Sequence, residues 1–260
     1  MKIAISGKGG VGKTTLAGAL ARYLAENGKR ILAIDADADS NLASALGVPK
    51  DKLEGLTPIA EMNNLIEERT GAKKGSFGIF FKLNPKVDDL PERFSVDHKG
   101  VKLLILGSVP QAGGGCFCPE NVLLKGLIRH LFLQRDDTVI VDMEAGLEHL
   151  GRGSTKGMDL FIVVVEPGQR SLQTARHIKK LAYDLGIPKI FIVGNKVASE
   201  KDQRIITEGL SDMELLGFIP FDSQIMDADR DGVSPYDINS SLKEAIKEIA
   251  NNMEKKIPSF

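Results

Sequence analysis

Three groups of residues in this chain carry chemistry in their type and spacing. The first is SGKGGVGKTT, residues 6–15. Gly7 to Thr14 spells G-x-x-x-x-G-K-[ST]. This is a glycine loop whose amides, at a helix N-terminus, cradle phosphate; its lysine reaches the β- and γ-phosphates and its hydroxyl faces Mg²⁺. Gly7, Gly9 and Gly12 also satisfy G-x-G-x-x-G, with Asp35 about where a dinucleotide's ribose-binding acid would lie. Lys13 and Thr14 decide between the two patterns, because a dinucleotide has no γ-phosphate for the lysine and no metal for the hydroxyl. A triphosphate site also needs a metal-directed carboxylate at another strand end, and Asp142, closing TVIVD, supplies it. The expected nucleotide contacts are therefore Gly9, Gly10, Val11, Gly12, Lys13, Thr14, Thr15 and Asp142, with ATP or ADP and Mg²⁺ as ligands.

The second group is DADADSNL, residues 35–42. Carboxylates at Asp35, Asp37 and Asp39 are either a solvated loop or groups that place a water beside the phosphates. The third group holds the only two cysteines, Cys116 and Cys118, in GGGCFCPEN. In an extended loop, side chains at i and i+2 point the same way. Pro119 suits the first position of a helix, with Glu120 in its first turn. A thiol at a helix N-terminus ionises more readily. Two thiolates are half of a tetrahedral metal site, and a symmetric dimer supplies the other half if the loops meet on the two-fold axis. Four thiolates suit Zn²⁺, an iron–sulfur cluster, Cu(I) or Ni²⁺. An inert pair or a redox switch are the plain alternatives.

These groups must be held by strands and helices. KIAIS (2–6), RILAID (30–35), VKLLILG (101–107), TVIVD (138–142), LFIVVVE (160–166), KIFIVGN (189–195) and LLGFIP (215–220) are apolar throughout, as strands covered on both faces are. Helical patterns fall at 13–27, 58–69, 120–134, 170–185, 201–210, 223–229 and 240–256, and Lys99-Gly100 reads as a hairpin turn. The alternation predicts a doubly wound, mostly parallel sheet with helices on both faces, in one domain over 1–260. Two adjacent cysteines make no disulfide framework, no run is long enough to span a membrane, and the N-terminus enters a strand directly. A cytoplasmic protein is the expectation. The formal net charge of −1 gives no basic field for nucleic acid.

KGGVGKTT (8–15) resembles the deviant Walker A motif of the MinD, ParA and nitrogenase iron protein group of dimeric ATPases. The resemblance implies that Lys8 crosses to the partner's phosphates, so that Lys8, Lys13 and Asp37 are catalytic in a nucleotide-dependent homodimer. DADADSNL resembles that group's D-x-D-P-x-x-N switch I, with Ala38 in the proline's place. It puts Asp37 on the attacking water, Asp39 with Thr14 and Asp37 on the magnesium side, and Asp35 in a structural role. DMEAGLEHLGRG (142–153) matches switch II at Gly146, with Glu148, His149 and Arg152 following. VGNK puts Asn195 and Lys196 near the base. Ala198 breaks the N-K-x-D guanine pattern, which favours adenine. Pro220 and, behind it, Asp222 are the late base contacts.

C-x-C ahead of P-E-N, with this switch II after it, resembles the CooC-type ATPases that assist nickel insertion into carbon monoxide dehydrogenase. The similarity spans essentially the whole chain. It implies Ni²⁺ or Zn²⁺ bridged by Cys116 and Cys118 of two chains, carbon monoxide dehydrogenase as client, and no nucleic-acid or membrane partner. Two other classes compete. An electron-transfer protein with a shared iron–sulfur cluster would need cysteines placed as in the nitrogenase iron protein, where they are far apart in sequence. A positioning ATPase would need a membrane-seeking helix or a basic patch. The C-terminal stripe of Leu242, Ala245, Ile246, Ile249 and Met253 reads instead as a helix docked on the core.

Overall fold

The seven apolar runs, joined by Val96–His98, form the eight strands of one sheet in the computed structural model, which describes residues 1–76, 80–107, 118–134, 136–144, 157–187 and 189–256. They are β1 (Lys2–Gly7), β2 (Ile31–Ala36), β3 (Val96–His98), β4 (Val101–Ile105), β5 (Thr138–Met143), β6 (Leu160–Val165), β7 (Ile190–Val197) and β8 (Glu214–Pro220). Their order is β3-β4-β2-β5-β1-β6-β7-β8, and every pairing is parallel except β3 with β4. That exception is the expected hairpin. Lys99 and Gly100 both have positive φ, 47° and 79°, as a two-residue turn between right-twisted strands requires.

The helices are α1 (Lys13–Glu26), α2 (Leu42–Leu46), α3 (Lys50–Leu53), α4 (Asn63–Thr70), α5 (Leu90–Phe94), α6 (Pro119–Gln134), α7 (Gln169–Asp184), α8 (Glu200–Gly209), α9 (Ser223–Asp231), α10 (Pro235–Ile238) and α11 (Ser240–Lys256). Alternate strand residues feed two separate cores. Ala4, Leu32, Ile34, Val139, Val141, Phe161 and Val163 pack with residues of α4, α6 and α7. Ile3, Ile5, Ala33, Ile140, Ile162 and Val164 pack with residues of α1, α2 and α11. Period-two burial on both faces explains why no strand shows a polar alternation. In α11, Leu242, Ala245, Ile246, Ile249 and Met253 are all buried, so its apolar stripe is taken up by the core as expected.

The single helix expected at 58–69 is two pieces, a 3₁₀ turn (Ile59–Glu61) and α4, separated at Met62 with ψ 78°. The Ala60 amide donates to the Leu106 carbonyl at 3.0 Å, which pins the turn to the strand end and breaks the helical run. The short helices α2, α3, α5 and α10 were not predicted; at four or five residues each they carry too little periodicity to be read.

Because the central strands are parallel, the carboxyl ends of β2, β5, β1, β6 and β7 open on one side of the sheet. That is where open α/β sheets bind ligands. Helix α1 reaches this edge beside α2, and the two approach closely at Gly18. A Cβ there would sit 2.9 Å from the Ala45 Cβ and 3.1 Å from its carbonyl carbon. Alanine should gain about 1 kcal/mol in helix propensity at Gly18, but overpacking costs about 1–3 kcal/mol. The Gly18→Ala protein should therefore melt lower than wild type by calorimetry; a higher melting temperature would contradict this packing.

Candidate functional site

The phosphate loop leaves β1 and enters α1 through Gly12, at φ 94°. A Cβ at Gly12 would lie 2.1 Å from the Asn195 amide nitrogen, so only glycine fits there. Helix α1 has no side-chain N-cap and no acidic residue in its first turn. Its first amides and the positive end of its dipole are left for an anion.

Strand β7 holds this loop from the side. Asn195 donates from Nδ2 to the Val11 carbonyl at 2.7 Å and accepts at Oδ1 from the Lys196 amide at 2.8 Å. Lys196, held at φ 57°, donates from Nζ to the Gly10 carbonyl at 2.7 Å and pairs with Glu166 at 3.3 Å. The sequence put both residues at the base. The geometry also gives them a structural task, because Asn195 Nδ2 and the Lys196 ammonium both hold carbonyls of the loop.

A cleft of ≈ 660 Å³ opens over the loop, lined by Gly9, Gly10, Gly12, Lys13, Thr14 and Thr15, by Asp37, Asp39 and Glu144, and by Asn195, Lys196, Pro220 and Asp222. The predicted residues thus converge, although they lie far apart in sequence. Val11 is buried beneath the loop. Lys8, half-buried, is not part of this lining. Lys13 is 7% exposed, with Nζ 3.9 Å from Asp37 Oδ2.

Asp142 sits at the end of β5 and is 1% exposed, yet neither of its carboxylate oxygens has a hydrogen-bond partner. Burial pushes its pKa up to about 7, and the neighbouring Asp35 and Asp37 charges add to the rise. The Thr14 hydroxyl, near but outside hydrogen-bond geometry, and Lys13 pull the other way. A buried carboxylate left without a partner is costly. A divalent cation would satisfy it. Mg²⁺ commonly uses one or two carboxylates with phosphate oxygens rather than an all-protein cage. Among the described residues no three His, Cys, Asp or Glu side chains gather into such a cage. The residues present fit Mg²⁺ held with a nucleotide.

Asp35 plays the structural part expected of it. Its Oδ2 accepts from the Leu42 amide at 2.9 Å and its Oδ1 from the Asp37 amide at 3.2 Å. Burial raises its pKa to about 6, against those two amides. Asp37 Oδ1 accepts from the Asp39 amide at 3.1 Å, leaving Oδ2 toward Lys13. Asp39 is exposed at the rim.

On the base side Pro220 lines the cleft, but Asp222 is engaged elsewhere. Its Oδ2 accepts from Asn239 Nδ2 at 2.6 Å and its Oδ1 from the Gln224 amide at 2.9 Å, so it ties the start of α9 to the chain before α11. Phe221 and Met226 do what no motif announced. They line the cleft while 54% and 62% exposed, offering flat apolar surface of the kind a purine stacks on. Glu144 was also missed, although a carboxylate two residues past Asp142 was the available signal.

Cys118 is 3% exposed, packed just ahead of α6, where the sequence suggested an open thiol on a glycine loop. Cys116, Gly146, Glu148, His149 and Arg152 lie outside the described residues.

Loop, lysine, buried metal-directed carboxylate and strand order together define a P-loop nucleotide-binding protein. The chain belongs to the CobQ/CobB/MinD/ParA nucleotide-binding domain family, whose pattern matches residues 2–236. It is 52% identical over 244 residues to the carbon monoxide dehydrogenase accessory protein CooC of Rhodospirillum rubrum, covering 94% of this chain and 92% of that one. It is 44% identical to an uncharacterized ATP-binding protein of Methanocaldococcus jannaschii, covering 96% of each. In fold it is similar to MinD in the Aquifex aeolicus MinC:MinD complex, with a TM-score of 0.70 at 20% identity, covering 100% of this chain and 98% of that one.

The Asp142 pKa yields a pH prediction. An acid raised from 3.8 to about 7 on folding contributes stability that is present below 3.8 and lost as pH climbs through about 7. Ligand-free Asp142→Asn should therefore be more stable than wild type at pH 8, by up to about 4 kcal/mol. The gap should close toward pH 4, as measured by denaturant unfolding. Equal stability at pH 8 would contradict the burial of an unpartnered charge.

Proposed function

We propose that this protein is a homodimeric, Mg²⁺-dependent ATP hydrolase of the cytoplasm that assists nickel insertion into carbon monoxide dehydrogenase. The observation that carries the hydrolase part is the buried, partnerless Asp142, close to Thr14 and Lys13 of the cleft lining. The client is supported by the 52% identity to CooC across nearly the full length of both chains.

Loop amides at the start of α1 would take the β- and γ-phosphates, and Lys13 would exchange its long contact with Asp37 for a phosphate oxygen. Thr14 and Asp142 would hold Mg²⁺, which when bound neutralises charge on the β- and γ-oxygens. Release of Lys13 frees Asp37 Oδ2 to orient a water in line with the γ-phosphate. Lys8, which is not part of its own chain's cleft lining, would act on the phosphates of a second copy. Phe221, Met226 and Pro220 would take the adenine.

Nickel is then cargo, held between Cys116 and Cys118 of two chains. With Cys118 buried in the single chain, sharing an ion there would require a movement that uncovers its thiol. The family's switch logic supplies one: a nucleotide that binds one dimer state better than another shifts the population toward it. MinD-like positioning finds less support, since α11 is docked and, among the described residues, no helix is long and apolar enough to cross a membrane.

The test is metal and sulfide content of anaerobic protein loaded separately with Ni²⁺, Zn²⁺ or iron plus sulfide, with mass read by light scattering. One Ni²⁺ or Zn²⁺ per two chains, lost in Cys118→Ser while ATP turnover persists, is the expected result. About four irons with sulfide per dimer would favour electron transfer instead. Wild-type protein that binds no metal would rule out the nickel reading.

A further inference from the structure

The backbone of the switch I loop is held mostly from within. The amides of Asp37 and Leu42 donate to Asp35, that of Asp39 to Asp37, and Asn41 Nδ2 donates to the Asp39 carbonyl. The bond at Ala38 is different. Its amide donates to Glu144 Oε1 at 2.9 Å, from a residue 106 positions away, just past β5. Glu144 is itself anchored, because its carbonyl accepts from Ser6 Oγ at 2.8 Å at the end of β1. It lines the cleft with Asp37 and follows Asp142 by two residues.

We propose that Glu144 is a positioning residue, latching the Asp37 loop to the end of β5 through the Ala38 amide so that the Asp37 carboxylate is set for the attacking water. The bond exists only because residue 38 is not proline; a proline there would have no N–H to give. Where the related switch I sequence stiffens the loop with a ring, this chain uses a hydrogen bond that can open and close. The residue that accepts it lies in the same short segment that carries the metal-directed Asp142 and leads into 145–156. The loop bearing Asp37 is thereby tied to that segment and follows its position. Glu144 acts on Asp37 through the backbone and needs no proton transfer, so a neutral acceptor of the same length should serve.

The inference rests on the hydrolase reading, and its test separates the two. Steady-state ATP turnover would be measured on the full chain for wild type, Glu144→Ala and Glu144→Gln, alongside hydrogen exchange of the Ala38 amide followed by NMR without nucleotide. Glu144→Ala should lower kcat about five- to twentyfold with KM within about twofold, a loss of the size expected for one partly exposed charge-assisted bond. It should also speed exchange at Ala38. Glu144→Gln should recover most of both. Glutamine as slow as alanine would show that the carboxylate acts as a base or ligand and would overturn the latch, as would unchanged exchange at Ala38 in Glu144→Ala. If wild type binds Mg-ATP but turns none over, the hydrolase reading fails, and the exchange rate alone decides the latch.

Discussion

A carboxylate enclosed at the end of a central strand, with no hydrogen-bond partner, is the constraint around which this molecule is arranged. Asp142 is paired in register with Asp35 across β5 and β2 and lies beside Asp37 and Lys13. The Asp35 charge adds to the burial that raises the Asp142 pKa, and the ligand-free protein bears that cost in stability. A fold can carry such a site when a ligand of opposite charge completes it, as any species that binds only the native state stabilises that state. The parallel sheet makes the arrangement possible. Its central carboxyl ends open on one side, so that Lys13, Asp37, Glu144 and Asn195, which follow or end separate strands, line one cleft.

The rest of the site is preorganised by backbone contacts rather than by charge alone. Asn195 and Lys196 fix the loop carbonyls at Val11 and Gly10. The loop's shape therefore does not have to be created by the phosphate, and less of the binding energy is lost to ordering. Switch I is built the opposite way. It is a short run of exposed residues bridged by its own carboxylates and tied across the cleft at a single amide. A loop backbone braced by β7 thus faces a switch I loop held largely by its own side chains.

The sequence made the sheet legible because strands buried on both faces read as unbroken apolar runs, and the phosphate loop legible because Lys13-Thr14 has a use only with a triphosphate. The Lys99-Gly100 turn was equally readable, since few residues accept its backbone. What escaped depends on contacts between distant positions. Asn195 looked like a base reader, and only its meeting with Val11, 184 residues away, shows it bracing the loop. Asp222 looked available until Asn239 was found on it. The break at Met62 comes from a tertiary bond to Leu106 and has no local signature. Phe221 carries no motif, and the burial of Cys118 has no signature in its neighbours' types.

If Asp142 completes a magnesium nucleotide site, the affinity for a non-hydrolysable ATP analogue, by calorimetry in wild type and in Asp142→Asn, must depend on Mg²⁺ through that carboxylate. Mg²⁺ should tighten binding at least about tenfold in wild type, or about 1.4 kcal/mol. In the variant that gain should vanish while the Mg²⁺-free affinity stays. A variant that keeps the full Mg²⁺ gain would contradict it.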